Sequence, residues 1–308
     1  MGKTSLNLRD TIKAIVRRHL LEEGGIAMGQ CLTAVGWVGG TLPELYEKDG
    51  MIELSMADVA NGGFAVGAAL TGIRPIYVIR YQGFNWFNAP IIINYAAKSK
   101  EIWGVPCPLF VRSIAMEGGI GPVAGSSHHS LYYRMPGIKI VSPMTPREYS
   151  SVYDSFMNDD DVYYVSEHRK SFDNKDDLSD VIVHQPQICL FPISITRFAA
   201  LEAAKVLKEM GYRVCVYNIL WLKPLGISNE AIRDLKISGR GIVLDDDYVD
   251  GVAKSIAFDL ASQTGSKLSV MGLEDRTAGF HPNVDNLSPD SQKIVERVVE
   301  ILTQKGAY

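Results

Sequence analysis

The sequence has few of the features that mark membrane, secreted or nucleic-acid-binding proteins. It contains no run of about eighteen apolar residues, the length that a membrane-spanning helix requires. Its first residues include no apolar stretch of the kind found in signal peptides. The 31 Lys and Arg are scattered among 35 Asp and Glu, for a net charge of −4, so no basic surface for nucleic acid is indicated. We therefore expect a cytoplasmic protein that binds neither membranes nor nucleic acid.

Cysteine is scarce and dispersed. The four residues Cys31, Cys107, Cys189 and Cys215 form no CxxC pair. This spacing argues against a zinc site and against a disulfide framework. Buried thiols are the expected state, and no metal ligands are predicted on this chain.

Several common catalytic motifs are also missing. The sequence has no GxxxxGK[ST] phosphate loop and no GxGxxG that opens a helix after a strand. It has no GxSxG elbow, so a Ser-His-Asp hydrolase is unsupported. The segment Gly36–Gly40 is rich in glycine but matches none of these motifs.

Apolar residues alternate between strand-like and helix-like patterns along the chain. Residues 75–81 (PIYVIRY) and 108–113 (PLFVRS) have the composition of buried parallel strands. A small-residue helix is predicted over 58–70, and the polar, acidic segment 171–180 is typical of a linker. This alternation predicts an α/β fold with two domains, 1–180 and 181–308, each a largely parallel sheet flanked by helices.

Two loops after predicted strands of the first domain carry unusual residues. Ligands of parallel sheets bind beyond the carboxyl ends of the strands. The aromatic loop, residues 81–87 (YQGFNWF), has two open interpretations: it caps a core, or it offers a platform for a flat heterocycle. The glycine loop, residues 117–130, contains the adjacent His128 and His129. These histidines suit proton transfer or anion contact, while a metal pair and an inert loop are the alternatives.

The order and spacing of several segments resemble a known family. Residues 58–75 (DVANGGFAVGAALTGIRP), 135–143 (MPGIKIVSP) and 162–169 (VYYVSEHR) are similar to segments of the β subunit of the decarboxylating component of 2-oxo acid dehydrogenases. Residues 222–225 (LKPL) resemble the turn of that family's second domain. The chain is thus identified as a member of the transketolase-like group, with a pyrimidine-binding domain followed by a transketolase C-terminal-like domain.

The resemblance implies that thiamine diphosphate is shared between two subunits. One subunit of this family holds magnesium and the diphosphate with a GDG…N motif, which is absent here. This chain is therefore expected to hold the pyrimidine ring and to need an α-type partner that carries the motif and the magnesium. An α2β2 assembly is the expected arrangement.

The same resemblance assigns roles to individual residues. Asp58 matches the family's glutamate that activates the cofactor, and Phe84 matches the aromatic ring that stacks on the pyrimidine. The family's active-site histidine corresponds best to His129, with His128 beside it. We expect Gln82 and Gln30 to be further cofactor contacts.

Three departures from the family pattern affect the expected chemistry. Asp58 is shorter than glutamate by one methylene, on the order of 1.5 Å. Gln30 stands where the family has an acid, and the segment between Ser130 and Pro136 is shorter than in the family. These changes suggest a specialised member that cleaves a 2-oxo acid or ketose and transfers the acyl or ketol unit. The alternatives are a two-subunit ketol transferase of transketolase type and a catalytically quiet homologue that acts as a structural or regulatory partner.

Overall fold

The computed structural model describes residues 6–117 and 121–303, which fall into two compact units. Unit 1 comprises Met1–Asp177 together with Leu222–Pro224, and unit 2 comprises Leu178–Trp221 and Leu225–Tyr308. The short segment 222–224 thus belongs to unit 1, although it lies beyond the predicted boundary at residue 180.

A seven-stranded sheet forms the centre of unit 1. Its spatial order is β2-β1-β3-β4-β6-β5-β9, and every strand pair with a resolved register is parallel. The strands are β1 (Ile26–Gln30), β2 (Met51–Leu54), β3 (Pro75–Ile79), β4 (Leu109–Ala115), β5 (Ile138–Val141), β6 (Val162–His168) and β9 (Trp221–Lys223). All residues of β3, β4 and β6 are buried, as expected for parallel strands covered on both faces.

Helices surround this sheet. They are α1 (Leu8–Leu21), α2 (Gly36–Gly40), α3 (Asp58–Leu70), α4 (Asn85–Ile91), α5 (Ala97–Trp103), α6 (Ser130–Tyr133) and α7 (Pro146–Met157). Within the described ranges, no helix has the length and apolar character needed to cross a membrane.

Local sequence explains where the longer helices begin. The Asn7 side chain caps α1 by accepting a hydrogen bond from the backbone N–H of Asp10 at 2.8 Å, and α1 buries an apolar stripe that includes Ile12 and Val16. Thr145 caps α7 in the same way, through the backbone N–H of Glu148 at 3.2 Å. Such caps satisfy N–H groups that have no partner inside the helix.

The segment after β3 changes its helical type along its length. A 3₁₀ turn (Gln82–Phe84) leads into α4, and a π-helical turn (Ile92–Ala96) joins α4 to α5. Pro90 lies inside α4. Proline has no backbone N–H to donate to the preceding turn, so the helical hydrogen bonds must rearrange around it.

Unit 2 is a four-stranded parallel sheet in the order β11-β10-β7-β8. Its elements are β7 (Ile188–Pro192), α8 (Thr196–Glu209), β8 (Val214–Val216), α9 (Asn229–Ser238), β10 (Arg240–Tyr248), α10 (Val252–Thr264), β11 (Lys267–Leu273) and α11 (Ser291–Thr303). Residues of α8 and α11 pack on β7, β8 and β10 to form one apolar core. The predicted α/β class, with a largely parallel sheet in each half, is confirmed.

The parallel sheet of unit 1 determines where its loops gather. Strands β1, β2, β3, β4 and β6 run in the same direction, so the loops that follow them emerge at one edge. This carboxyl edge therefore receives the end of β1, the start of α3, the aromatic loop and the glycine loop.

Candidate functional site

Asp58 is the first residue of α3 and lies at the carboxyl edge of the sheet. One of its carboxylate oxygens, Oδ1, accepts two hydrogen bonds: from Gln30 Nε2 at 3.0 Å and from Asn88 Nδ2 at 2.9 Å. Within residues 6–117 and 121–303, the other oxygen, Oδ2, has no hydrogen-bond partner. The carboxylate is therefore held on one side by two amides and presents its second oxygen.

Asn88 connects Asp58 to the aromatic loop. Its Nδ2 also donates to the backbone carbonyl of Phe84 at 3.0 Å, and its Oδ1 accepts from the Tyr77 hydroxyl at 2.5 Å. Asn88 is fully buried. Burial and the charge of Asp58 raise the pKa of Tyr77 well above its usual value, so Tyr77 remains a donor and fixes the orientation of the amide.

Gln30 has one unused acceptor. Its Oε1 atom is buried and has no hydrogen-bond partner among the described residues, while its Nε2 atom is occupied by Asp58. A buried acceptor without a donor is destabilising by about 1–3 kcal/mol, which is typical of a position that a ligand completes.

Glu53 is not available to take the role of the glutamate that the resembling family has at the position of Asp58. Its carboxylate accepts hydrogen bonds from the backbone N–H groups of Leu32 and Thr33 and from the Thr33 hydroxyl, at 2.8–3.0 Å. These three donors tie the end of β2 to the loop after β1. Asp58 is therefore the acid that is linked to Phe84 through Asn88, and Glu53 supports the backbone at Leu32 and Thr33, just after Gln30.

The aromatic loop divides into one half-buried ring and two exposed rings. Phe84 is half-buried and lies 6.3 Å from Tyr81 between ring centroids. Trp86 and Phe87 are 61% and 52% exposed, so these two side chains do not cap the core of unit 1. The loop thus has both exposed apolar surface and one half-buried ring, whose backbone carbonyl shares the Asn88 amide with Asp58.

Gly83 fixes the position of the glycine loop over the aromatic loop. Its backbone N–H donates to the carbonyl of Val123 at 3.0 Å. A Cβ atom at this glycine would lie 2.5 Å from that carbonyl oxygen, far inside van der Waals contact. Only glycine allows the two loops to approach this closely.

Gln82, predicted as a cofactor contact, is a fully buried bridge between elements. Its Oε1 accepts from the backbone N–H of His128 at 2.6 Å and from the Tyr164 hydroxyl at 3.1 Å. Its Nε2 donates to Ser166 Oγ at 2.8 Å and to the Ser113 carbonyl at 3.1 Å. These four bonds use the full capacity of a glutamine side chain, so Gln82 holds the loops together and has no atom left for a ligand.

The two histidines differ in accessibility. His129 is fully buried, and its Nδ1 lies 3.1 Å from Ser166 Oγ. His128 is half-buried, and its ring meets Trp86 edge to face with centroids 6.3 Å apart. His128 is therefore the histidine that a small molecule could reach from the aromatic loop.

The backbone leading to the histidines is strained. Ser126 has a backbone φ of 115°, which residues other than glycine rarely adopt. Its buried hydroxyl has no hydrogen-bond partner among the described residues. The bridge between Met116 and Gly125 holds this segment against the end of β4. Residues 118–120, part of the predicted glycine loop, lie outside the described residues.

The sequence did not indicate Asn88, Tyr77 or Ser166 as members of the site. One signal for Asn88 was available: it lies four residues after Phe84, which is one helical turn and places both on the same helix face. Tyr77 and Ser166 are interior residues of strands and resemble any other core position.

Comparisons with known proteins give a consistent assignment. Residues 23–174 match the family described as the transketolase pyrimidine binding domain. The chain is 24% identical over 253 residues to the β subunit of acetoin:2,6-dichlorophenolindophenol oxidoreductase of Cupriavidus necator, covering 76% of this chain and 73% of that protein. It is 23% identical over 324 residues to the β subunit of the pyruvate dehydrogenase E1 component of Rickettsia felis, covering 96% and 98%.

Two solved structures share the fold. A split-gene transketolase, in an inactive beta4 tetramer, has a TM-score of 0.74 at 15% identity and covers 97% of this chain and 99% of its own. Transketolase from Campylobacter jejuni has a TM-score of 0.70 at 15% identity, and the match covers 96% of this chain and 47% of that one. The resemblance drawn from the sequence motifs is confirmed.

Proposed function

We propose that this chain is the β-type subunit of a heteromeric thiamine-diphosphate-dependent enzyme. Residues 23–174 match the transketolase pyrimidine binding domain family, and the chain is 23% and 25% identical to β subunits of a pyruvate dehydrogenase and a 2-oxoisovalerate dehydrogenase. The enzyme cleaves a 2-oxo acid or a ketose and transfers the acyl or ketol unit. This chain contacts the pyrimidine ring of the cofactor, and an α-type partner with the GDG…N motif holds the diphosphate and Mg²⁺.

The observation that carries the proposal is the set of hydrogen bonds that holds the Asp58 carboxylate. Its Oδ1 is fixed by Gln30 and Asn88, its Oδ2 is free to accept, and Asn88 also holds the backbone of Phe84. An aminopyrimidine needs a carboxylate for a ring nitrogen and an aromatic face. Asp58 Oδ2 and the Phe84 ring would supply these two features, and Gln30 Oε1 would be a further polar contact for the ligand.

The mechanism follows from what each side chain can do. Thiamine diphosphate, when bound, would supply the nucleophilic carbon of its thiazolium ring. Asp58 Oδ2 would hold a proton at a pyrimidine ring nitrogen, and the Phe84 ring would contact the pyrimidine face. The two amides prevent Asp58 from rotating, which compensates in part for its shorter side chain, because misplacement by about 1 Å can cost roughly a hundredfold in rate.

The histidines have separate roles in this proposal. His128 is accessible beside Trp86, and it handles a proton or the oxyanion of the substrate. His129 is buried and meets Ser166. We assign it a positioning role, which changes the emphasis of the sequence-based expectation that His129 is the catalytic histidine.

Exposed apolar side chains support the need for a partner. Val59, Phe64, Trp86 and Phe87 lie on or next to α3 and α4 and are 52–62% exposed. Large apolar patches of this kind mark protein–protein interfaces. We propose that this face contacts other subunits in an α2β2 assembly.

A second candidate function is a catalytically quiet structural or regulatory partner. The replacement of the family glutamate by Asp58 favours it, because a site without cofactor activation requires no acid of exact length. The Asn88 clamp and the accessible His128 favour the active enzyme.

Reconstitution tests the proposal. The chain is mixed with an α-type subunit that carries GDG…N, and Mg²⁺-dependent binding of thiamine diphosphate and decarboxylation of several 2-oxo acids are measured. We expect binding and turnover, and we expect Asp58→Ala to abolish turnover with little change in thermal midpoint. Asp10→Ala, which removes an exposed acid from the first turn of α1, is the matched control. A pair that binds no cofactor contradicts the proposal.

A further inference from the structure

Two cysteines that are far apart in the sequence meet in the sheet of unit 2. Cys189 of β7 and Cys215 of β8 are directly opposite each other in the parallel register. Cys189 Sγ lies 3.6 Å from Ser238 Oγ of α9. Cys215 Sγ lies 3.7 Å from Asp234 Oδ2 of the same helix, so both side chains point to the face that α9 covers. The fold thus creates a thiol pair that the spacing of the cysteines does not indicate.

The separation of the two residues suits a disulfide bond. Neighbouring strands of a sheet lie about 4.8 Å apart, and disulfides join Cα atoms that are about 4.4–6.8 Å apart. Both residues are free cysteines in the structure, and their side chains are hydrogen-bonded to each other. A bond between the two sulfurs therefore requires only a small adjustment of β7 and β8.

The hydrogen bond between the thiols makes them chemically unequal. It raises the pKa of Cys189, to which burial adds, and it lowers the pKa of Cys215. The backbone N–H of Val183 also donates to Cys215 Sγ, at 3.4 Å, and lowers the same pKa, while burial and Asp234 act in the opposite direction. The thiolate is the form of cysteine that attacks oxidants. Cys215 is therefore the better nucleophile of the pair.

The edge segment, residues 181–185, lies along β8 and covers Cys215. None of its five residues is buried. An antiparallel bridge from Val181 to β8 holds one end of it, and Arg213 Nε donates to the Gln185 carbonyl at 2.8 Å at the other end. Segments with exposed hydrogen bonds and few buried side chains open at a lower free-energy cost than core strands. Opening of the edge segment gives small solutes a route to the Cys215 sulfur.

We propose that Cys189 and Cys215 are an oxidation site for peroxides, at which the edge segment opens and the two thiols form a reversible disulfide. The Cys215 thiolate attacks one peroxide oxygen, the O–O bond breaks, and Cys215 becomes a sulfenic acid. The hydroxide that leaves takes a proton from solvent. Cys189 then attacks the sulfenic sulfur, the S–S bond forms, and the S–OH group leaves with the Cys189 proton as water.

The two thiols together lose two electrons, and hydrogen peroxide is reduced to two molecules of water. All groups that take part belong to unit 2. The site therefore does not depend on thiamine diphosphate, on a partner subunit or on the proposed function.

Peptide mapping of the full chain tests the site. The chain is treated with hydrogen peroxide, the remaining thiols are alkylated, and the peptides are analysed by mass spectrometry before and after reduction with dithiothreitol. We expect a Cys189–Cys215 linkage that dithiothreitol reverses. Cys107 is the internal control, because burial raises its pKa to about 12, and it should be oxidised at least about tenfold more slowly. A pair that stays reduced while Cys31 is oxidised overturns the proposal.

Single variants test the order of the two steps. In Cys189→Ser, no second thiol can attack the sulfenic acid at Cys215, so dimedone should trap it. In Cys215→Ser, Cys189 should remain reduced at the peroxide concentration that oxidises the parent chain. Oxidation of Cys189 in this variant at the parent rate contradicts the assignment of Cys215 as the nucleophile. Thermal midpoints show whether each variant is folded.

A change in the edge segment tests the route to the thiols. Arg213→Ala removes the hydrogen bond to the Gln185 carbonyl and should accelerate disulfide formation about threefold or more, because the open state becomes more populated. The matched control is Arg17→Ala, which removes an exposed arginine of α1 and should leave the rate unchanged. Equal rates in both variants and the parent would overturn the role of the edge segment.

Discussion

At the scale of single residues, the site depends on how one carboxylate is held. We propose that Asp58 takes the role of the longer glutamate in the family that the sequence resembles, and that its neighbours compensate for the shorter side chain by fixing it. Gln30 and Asn88 donate to the same oxygen, and Asn88 is itself fixed by the Tyr77 hydroxyl. The amide at position 30 also avoids placing a second negative charge beside Asp58.

Restoring an acid at position 30 tests this view. In Gln30→Glu, a second carboxylate replaces the amide whose nitrogen lies 3.0 Å from Asp58 Oδ1. Two carboxylates at that distance do not both ionise readily, so one pKa of the pair rises. Activity needs the ionised acid and is lost as pH falls through that pKa. The acidic limb of the kcat profile should therefore move to higher pH, by on the order of one unit.

Gln30→Leu is the matched control for this change. It removes the donor without adding a charge, so it should lower kcat and leave the acidic limb in place. An acidic limb that does not move in Gln30→Glu would show that Asp58 is not the acid whose ionisation controls turnover.

The residues of the site differ in how far the sequence could predict them. Motif spacing was sufficient to place Asp58 and Phe84 as candidates, because both lie in segments that resemble the family without a gap. The role of Gln82 could not be predicted from its position in the aromatic loop. Its four hydrogen bonds go to residues 31 to 84 positions away, and such partners become visible only when the strands are assembled.

At the scale of elements, the aromatic loop and the glycine loop are held together by direct contacts. Gly83 allows the backbone of the first to contact Val123 of the second. Gln82 then binds the backbone of His128. The position of the histidine relative to Phe84 therefore depends on a close approach between two loops.

A methyl group at position 83 should separate these loops. Gly83→Ala places a Cβ 2.5 Å from a backbone oxygen, which the loop can relieve only by moving. We expect the free energy of unfolding to fall by about 1–3 kcal/mol, and cofactor affinity of the reconstituted enzyme to fall as well. Urea unfolding and cofactor titration measure the two effects.

Gly63→Ala provides the comparison. Gly63 lies on α3, and a Cβ there meets nothing within 4 Å. Alanine in this helical position should be neutral or stabilising by up to about 1 kcal/mol. If both variants were equally stable and bound cofactor equally well, the close approach at Gly83 would not position the site.

Regular elements were predictable where local signals agree. The predicted helix 58–70 matches the structure at both ends, because apolar patterning and bounding residues indicate the same limits. The π-helical turn after Pro90 and the strand β9 were not predicted. Strand β9 has three residues, and the other strands of its sheet all precede residue 169 in the sequence. Whether these three residues form a strand therefore depends on tertiary contacts.

At the scale of the whole molecule, unit 1 gathers the site at one edge of its sheet. Asp58, Phe84 and His128 come from segments that follow different parallel strands. This chain has no GDG…N motif for magnesium and diphosphate. We therefore propose that it forms half of a shared site, and that the apolar face with Trp86 and Phe87 is covered in the assembly.

The most direct test of the central claim is the exchange of the cofactor's thiazolium C2 proton for deuterium in the reconstituted enzyme, followed by NMR after acid quench. The parent is compared with Asp58→Asn, which keeps the shape of the side chain and removes its charge, at equal cofactor occupancy. Activation of the cofactor by Asp58 predicts that exchange slows about a hundredfold or more in the variant. Exchange at the same rate in both proteins would contradict the account.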